Sequence, residues 1–260
     1  MVKKVVPAVI NSRIAKIGKS KASGTNRFVN RRPVNSDVIK FKGKGRNRVL
    51  AMLAPGPSIL EVDIARFGGV DGLDTMTINK PDLRLWPTTY WSFCDHSQYI
   101  RNKEVFNNYT GVIFNSRAVT ASHPSQVIIG ACSKFSFDLA DGYEIGMSTT
   151  YASMQIALYM DYARVYVYGV DMCRVSIGGK SVLHSYGVNP DVKEEVREQR
   201  FKRESEYYDK AVGLMGTLKS RFYFCSAYNP FGFVNKYNRV DHRGSEGLVL
   251  DAVRELGWQK

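Results

Sequence analysis

The sequence predicts an α/β protein: a mostly parallel, Rossmann-like sheet covered by helices on both faces and preceded by a basic N-terminal arm. Three observations predict it. From Arg48 onward, short apolar runs alternate with stretches patterned like helices, as in repeated strand–helix–strand units. Some of those runs are apolar at every position, as strands buried on both faces are. Charge divides the chain: residues 1–50 hold 14 Lys and Arg against one acid, Asp37, whereas the rest hold 23 basic and 23 acidic side chains. The formal net charge of +13 therefore belongs to the first part.

The elements follow in order. Residues 1–47 are rich in Gly, Ser, Asn and Lys, with Phe28 and Phe41 the only aromatics. Such a stretch buries too little surface to offset its ordering entropy. It is expected to be a disordered arm, with 48–260 a single nucleotide-binding catalytic domain. Arg48 to Pro55 (RVLAMLAP) reads as the first strand and Pro57 to Phe67 as a helix with Ile59, Leu60, Ile64 and Phe67 on one face. Strands are expected at Asp74–Asn79, Tyr90–Asp95, Gly111–Ser116 and Gln126–Ala131. Thr149–Tyr162 has helical spacing, Arg164–Asp171 (RVYVYGVD) is a strand, and Val192–Lys219 is a long charged helix. Arg221–Ser226 closes the strand series and Glu246–Leu256 is the last helix.

The arm reads as a handle for nucleic acid, with affinity drawn from phosphate neutralisation and falling steeply with salt. A solvated tail that only aids solubility is the alternative. No apolar stretch follows Lys3 and Lys4 as in a secretory signal, and none approaches the roughly 18 residues of a membrane span. A cytoplasmic location is expected. Cys94, Cys132, Cys173 and Cys225 form no CxxC pair and read as buried, reduced thiols rather than zinc ligands.

Ligands of parallel sheets bind beyond the carboxyl ends of the strands. Those positions here hold Gly56, Pro57 and Ser58, then Asn79, then Asp95 and His96, then Asn115 and Ser116, then Asp171. Gly56 would let backbone approach a phosphate, and the following helix would offer free N–H groups. A tight turn with Ser58 as helix cap is the competing reading. Asp95, His96 and Asp171 could hold a divalent metal, but no paired-carboxylate motif supports one. Asp171 could equally be an acid that fixes its own loop.

The G-P-S loop, the Asn after the second strand, Ser148-Thr149-Thr150 opening a helix, the Gly169-Val170-Asp171 strand end and the His184-Ser185-Tyr186-Gly187 insertion occur in a telling order. Tyr228-Asn229-Pro230 follows the last strand. This order resembles the bacterial sialyltransferases that use CMP-sugars. It is also similar to the related MptE-like group of motility-associated glycosyltransferases and an archaeal pterin pyrophosphokinase. The resemblance spans roughly Leu50 to Val234. It implies that Gly56 and Ser58, with Pro57 between them, form the donor loop, that Asn79, Ser148 and Thr149 serve the nucleotide, and that His184 is the general base; Asp171, at the same rim, is added to the nucleotide-binding set. Tyr186, with Tyr228, would stabilise the leaving phosphate. His96, beside Asp95, is the second candidate for proton transfer. Ala54 and Pro55 stand where the sialyltransferases carry an Asn-bearing loop, which leaves the donor's sugar and base open.

The expected function is transfer of a sugar from a CMP- or UDP-linked donor to a hydroxyl, without a required metal. The acceptor suggested by the arm is a hydroxylated base in DNA, as in viral (bacteriophage) DNA hypermodification. The alternatives are a non-catalytic nucleic-acid-binding protein on a transferase-like fold, a surface-glycan transferase, and a pyrophosphokinase dependent on ATP and Mg²⁺.

Overall fold

A computed structural model describes residues 36–116, 119, 122–177, 179–185, 194–226 and 228–258. The stretch 1–35 and Tyr186 lie outside the described residues. The strands are β1 (Val49–Leu53), β2 (Leu73–Ile78), β3 (Tyr90–Phe93), β4 (Val112–Ser116), β5 (Gln126–Ile129), β6 (Arg164–Tyr168), β7 (Val175–Ile177), β8 (Lys180–Val182), β9 (Phe222–Cys225) and β10 (Asn238–Val240). The helices are α1 (Ser36–Ile39), α2 (His96–Arg101), α3 (Lys103–Asn107), α4 (Thr149–Tyr159), α5 (Glu194–Met215) and α6 (Ser245–Glu255).

Eight strands form one sheet in the order β10-β9-β6-β1-β2-β3-β4-β5, and every pairing is parallel. β7 and β8 make a separate antiparallel hairpin. The fold is Rossmann-like α/β. β1 sits at the centre, pairing with β2 on one side and β6 on the other. Chain order reverses at β1, so the gap between β1 and β6 is the topological switch point of the sheet.

The period of two in β1 separates the two cores. Leu50 and Met52 point to the face covered by α4 and α5, with Tyr151, Met154, Tyr208, Phe222 and Phe224. Val49, Ala51 and Leu53 point to the other, with Ile59, Phe67, Tyr168, Val249 and Val253. α4 is buried on nearly every side, so its sequence shows no polar stripe. A third cluster, Trp91, Phe93, Phe106, Tyr109 and Ile113, seats α3 on β3 and β4.

Three expectations change. The first is the domain boundary: the compact unit runs Pro33–Lys260, and Val38 and Phe41 are buried in the core rather than part of an arm ending at 47. The cause lies at α4's far end, where the N–H groups of Gly43 and Gly45 donate to the carbonyls of Tyr159 (3.1 Å) and Met160 (2.7 Å). Residues 43–45 thus satisfy carbonyls that a helix end leaves unpaired.

The second is the helix expected over Pro57–Phe67, which is instead two 3-10 turns, Pro57–Glu61 and Ile64–Phe67, separated by extended Val62. Arg84 explains the break. Its guanidinium donates to the carbonyls of Ile59 (2.9 Å) and Val62 (3.1 Å), and the Asp63 N–H donates to Glu246 Oε1 (2.6 Å). Those backbone groups are engaged outside the segment, so no α-helical ladder forms. The third concerns the thiols. Cys94 and Cys225 are buried, but Cys132 and Cys173 are half-exposed, and all four are free. No helix among the described residues is long and apolar enough to cross a membrane.

Candidate functional site

A cleft of about 600 Å³ opens at the carboxyl rim of the sheet over the switch point. Gly56 reaches it from the loop after β1, Asn79 from the end of β2, and Asp95 from the end of β3. Asp171 reaches it from beyond β6, Ser148 and Thr149 from the start of α4, and His184 from beyond β8. Seven predicted positions, scattered over 129 residues of sequence (184 − 56 + 1), therefore converge on one space. Of the other four, three do not and one lies outside the described residues. Pro57 and Ser58 are buried beneath the loop, His96 begins α2 with its ring against Tyr99 (5.4 Å) and does not line the cleft, and Tyr186 is outside the described residues.

The roles within the loop after β1 differ from those expected. A Cβ on Gly56 would lie 2.2 Å from the carbonyl oxygen of Gly169 and 2.6 Å from Asp171 Oδ2. The glycine is needed for contact with β6's end, where its N–H donates to that same carbonyl at 2.8 Å. Gly169 itself has φ +67, and its own added Cβ would meet the Ala54 carbonyl at 2.1 Å. Asp171 locks this clasp. Its Oδ2 accepts the Ser58 N–H (2.7 Å) and its Oδ1 accepts the Ser226 hydroxyl (2.7 Å). The carboxylate is 1% exposed, so it serves the loop rather than a ligand. The Ser58 N–H is thereby spent, and its hydroxyl caps nothing among the described residues. Pro57 and Ser58 hold the wall of the site from behind.

The start of α4 is better suited to an anion. Ser148 precedes the helix without a side-chain cap, leaving first-turn N–H groups and the positive helix end at the cleft. Its hydroxyl instead meets Tyr208 Oη at 3.2 Å. The cleft is also lined by Arg101, Arg197, Arg200 and Glu204, residues the sequence reading did not single out. Arg197 is 7% exposed, an unusual depth for a guanidinium. The Asn79 Oδ1 is buried and has no hydrogen-bond partner among the described residues, while its backbone carbonyl accepts the Trp91 indole N–H (2.7 Å). Asn79, Met147 and Met172 hold left-handed backbones (φ 60, 63 and 51), and all three line the cleft. Methionine rarely adopts that conformation, and such strain concentrates at functional sites.

His184 is half-buried at the cleft wall, and its neighbour Ser185 donates its N–H to the Pro55 carbonyl (2.8 Å), tying the hairpin to the loop after β1. Burial, then Arg197 and Arg200, push its imidazole down to about 4, so it is neutral at pH 7 and binds protons weakly. Burial pushes Glu204 up to about 7, against the Ser148 hydrogen bond and Arg200. Tyr228, expected near a leaving phosphate, does not line the cleft. Its hydroxyl donates to Glu61 Oε2 (3.1 Å), which also meets buried His242 Nε2 (2.6 Å). His123 accepts the Ser125 N–H through Nδ1 (3.1 Å) within its own loop. Among the described residues, no three His, Cys, Asp or Glu side chains gather as a metal-holding group.

No family model matches the chain, and no curated protein does. The solved structure named "Putative exported protein" from Burkholderia pseudomallei aligns with 80% of this chain and 94% of its own, at 9% identity and a TM-score of 0.28. A likeness that slight carries no weight for fold or function.

Proposed function

We propose that the cleft binds a nucleotide-activated sugar and that the protein transfers the sugar to a hydroxyl acceptor. One observation carries this reading. Five residues suited to nucleotide-transferase chemistry (Asn79, Asp95, Ser148, Thr149 and His184), from four separate segments, line one cleft at the switch point of a parallel sheet, where such folds bind nucleotides. The α4 N-terminus with Arg101, Arg197 and Arg200 suits the phosphate, both as ground-state anchor and as stabiliser of the charge that develops on it when the bond to the sugar breaks. Asn79 Oδ1, buried and unpartnered, suits a donor group on the base or ribose. His184, neutral and half-buried, suits a hydrogen bond to the donor. The acceptor we favour is a hydroxylated DNA base, because residues 1–35 carry nine Lys and Arg and no acid, a polyanion handle by composition.

Thermal unfolding of the full chain with CMP, UDP, GDP and ATP, each with and without Mg²⁺, tests the donor. A ligand at 100 times its Kd raises stability by about 2.7 kcal/mol. CMP or UDP is expected to raise Tm without Mg²⁺. A shift confined to ATP with Mg²⁺ would turn the reading towards pyrophosphoryl transfer. No shift with any nucleotide would overturn it.

A further inference from the structure

The stripe of α5 that faces the domain changes character halfway. Tyr208, Ala211 and Met215 are buried in the core at helical spacing. Continued towards the N-terminus, the same stripe gives Glu204, Phe201 and Arg197, which line the cleft. Glu204 is thus an acid one turn from a fully buried tyrosine. Placing a carboxyl there is costly unless it is bonded or used. It makes no ion pair among the described residues, and it lies near Ser148, whose hydroxyl acts to lower its pKa, at the α4 end where the phosphate is placed. The Ser148 hydroxyl in turn meets Tyr208 Oη at 3.2 Å, a pair in which either oxygen can donate. Glu204 itself lines the cleft beside that pair of hydroxyls.

We propose that Glu204 is the base of the transfer, taking the proton of the acceptor hydroxyl. The assignment rests on the transferase reading given above. As the acceptor oxygen bonds to the anomeric carbon, its O–H bond breaks and the proton passes to the Glu204 carboxylate. The bond from the anomeric carbon to the phosphate oxygen breaks at the same time, and its electron pair leaves with the nucleotide. Glu204 then returns the proton to water. The environment agrees with this role. Facing the same space are Arg101, Arg197, Arg200, Asp95, Asp171 and His184, and the burial of Glu204 lifts its carboxyl to about 7. A base works best with a pKa near the working pH. His184, at about 4, holds a proton roughly a thousandfold less well, since each pKa unit is a factor of ten.

The test uses the full chain, with CMP-N-acetylneuraminic acid, UDP-glucose and UDP-N-acetylglucosamine as donors and a duplex containing 5-hydroxymethylcytosine as acceptor. The base acts when ionised, so turnover should rise with pH through about 7 and level off above it. Glu204→Gln should lower kcat by about 100- to 10,000-fold and abolish that rising limb, while nucleotide binding by thermal shift stays within twofold. Glu204→Asp should give an intermediate rate with the limb retained. Glu206→Gln, on the exposed face of α5, should match the wild type. Wild-type turnover and pH profile in Glu204→Gln would overturn the assignment and leave the transferase reading intact. No transfer by the wild type from any of the three donors would overturn both.

Discussion

Gly56→Ala separates the two explanations for the glycine after β1. Gly56 has φ −65 and ψ 153, values that alanine adopts freely, so the substitution introduces no backbone strain. Its effect must be steric. The new methyl would lie 2.2 Å from the Gly169 carbonyl oxygen and 2.6 Å from Asp171 Oδ2, well inside contact distance, and the first of these is backbone that cannot swing away. Relief requires the two loops to part, lengthening the Gly56–Gly169 bond (2.8 Å) and pulling Asp171 from the Ser58 N–H (2.7 Å). Overpacking of this kind costs about 1–3 kcal/mol. Weakening a hydrogen bond to a buried carboxylate adds about 1.5–3 kcal/mol. The expected loss is therefore roughly 3–6 kcal/mol, a large share of the ~5–15 kcal/mol stability of a typical domain. Urea unfolding of the ligand-free protein, followed by circular dichroism, reads it directly. Gly213→Ala is the control: it lies within α5, nothing approaches its added Cβ, and it should stabilise by about 0.5–1 kcal/mol. If Gly56→Ala unfolds at the wild-type midpoint yet loses nucleotide binding, the clasp is not what requires the glycine, and a ligand's close approach is.

The revised boundary predicts that removing residues 1–33 leaves the urea midpoint unchanged. Removing 1–45 should cost about 3–6 kcal/mol, because buried Val38 and Phe41 each contribute about 1.5–3 kcal/mol; equal midpoints would return residues 36–45 to the arm. If the basic stretch holds DNA, the shorter deletion should weaken duplex binding and flatten its dependence on salt, and an unchanged salt slope would rule the stretch out as the handle. With a thiol reagent on the native protein, half-exposed Cys132 should react first. Cys94 and Cys225 should stay protected, since burial holds their thiols at about 11 and about 12; rapid labelling of either would contradict the packing of β3 or β9.

The sheet was legible because its strands are apolar on both faces. RVLAMLAP and RVYVYGVD need no helix or turn context to read as buried strands, and they are β1 and β6. β7, β8 and β10 have three residues each, too short for any periodicity to register. The Pro57–Phe67 segment does have helical spacing, and it fails as a helix because of Arg84, a long-range partner that local pattern cannot reveal. Phe41 looked like an isolated aromatic in a basic tail; its burial depends on Phe114, whose ring is 5.1 Å away and 73 positions later (114 − 41). In the site, polar residues at strand ends were visible from topology alone, which is why Gly56, Asn79, Asp95 and Asp171 were found. Whether each faces ligand or neighbour was not visible: Asp171 read equally as a contact or as an acid that fixes its own loop, and it is the latter. Arg197, Arg200 and Glu204 were hidden in a helix of 22 residues crowded with charge. The available signal was their spacing from Tyr208, Ala211 and Met215, which places them on the inward stripe.

The parallel order of the eight strands has a consequence for how the cleft is assembled. A sheet without hairpins has no local pairing from which to start, and β1 must find β6 in a register that aligns Val49 with Arg164. Closing a loop that long is entropically unfavourable and slow. During synthesis β1 can pair with β2 once that strand has emerged, but its other edge stays open until β6, more than a hundred residues on, has followed. The cleft takes Asn79, Asp95, Arg101 and the start of α4 from before β6, but His184, Arg197, Arg200 and Glu204 from after it. No fragment ending before β6 holds the complete cleft, so nucleotide binding by nascent chains of increasing length should appear only once α5 has emerged.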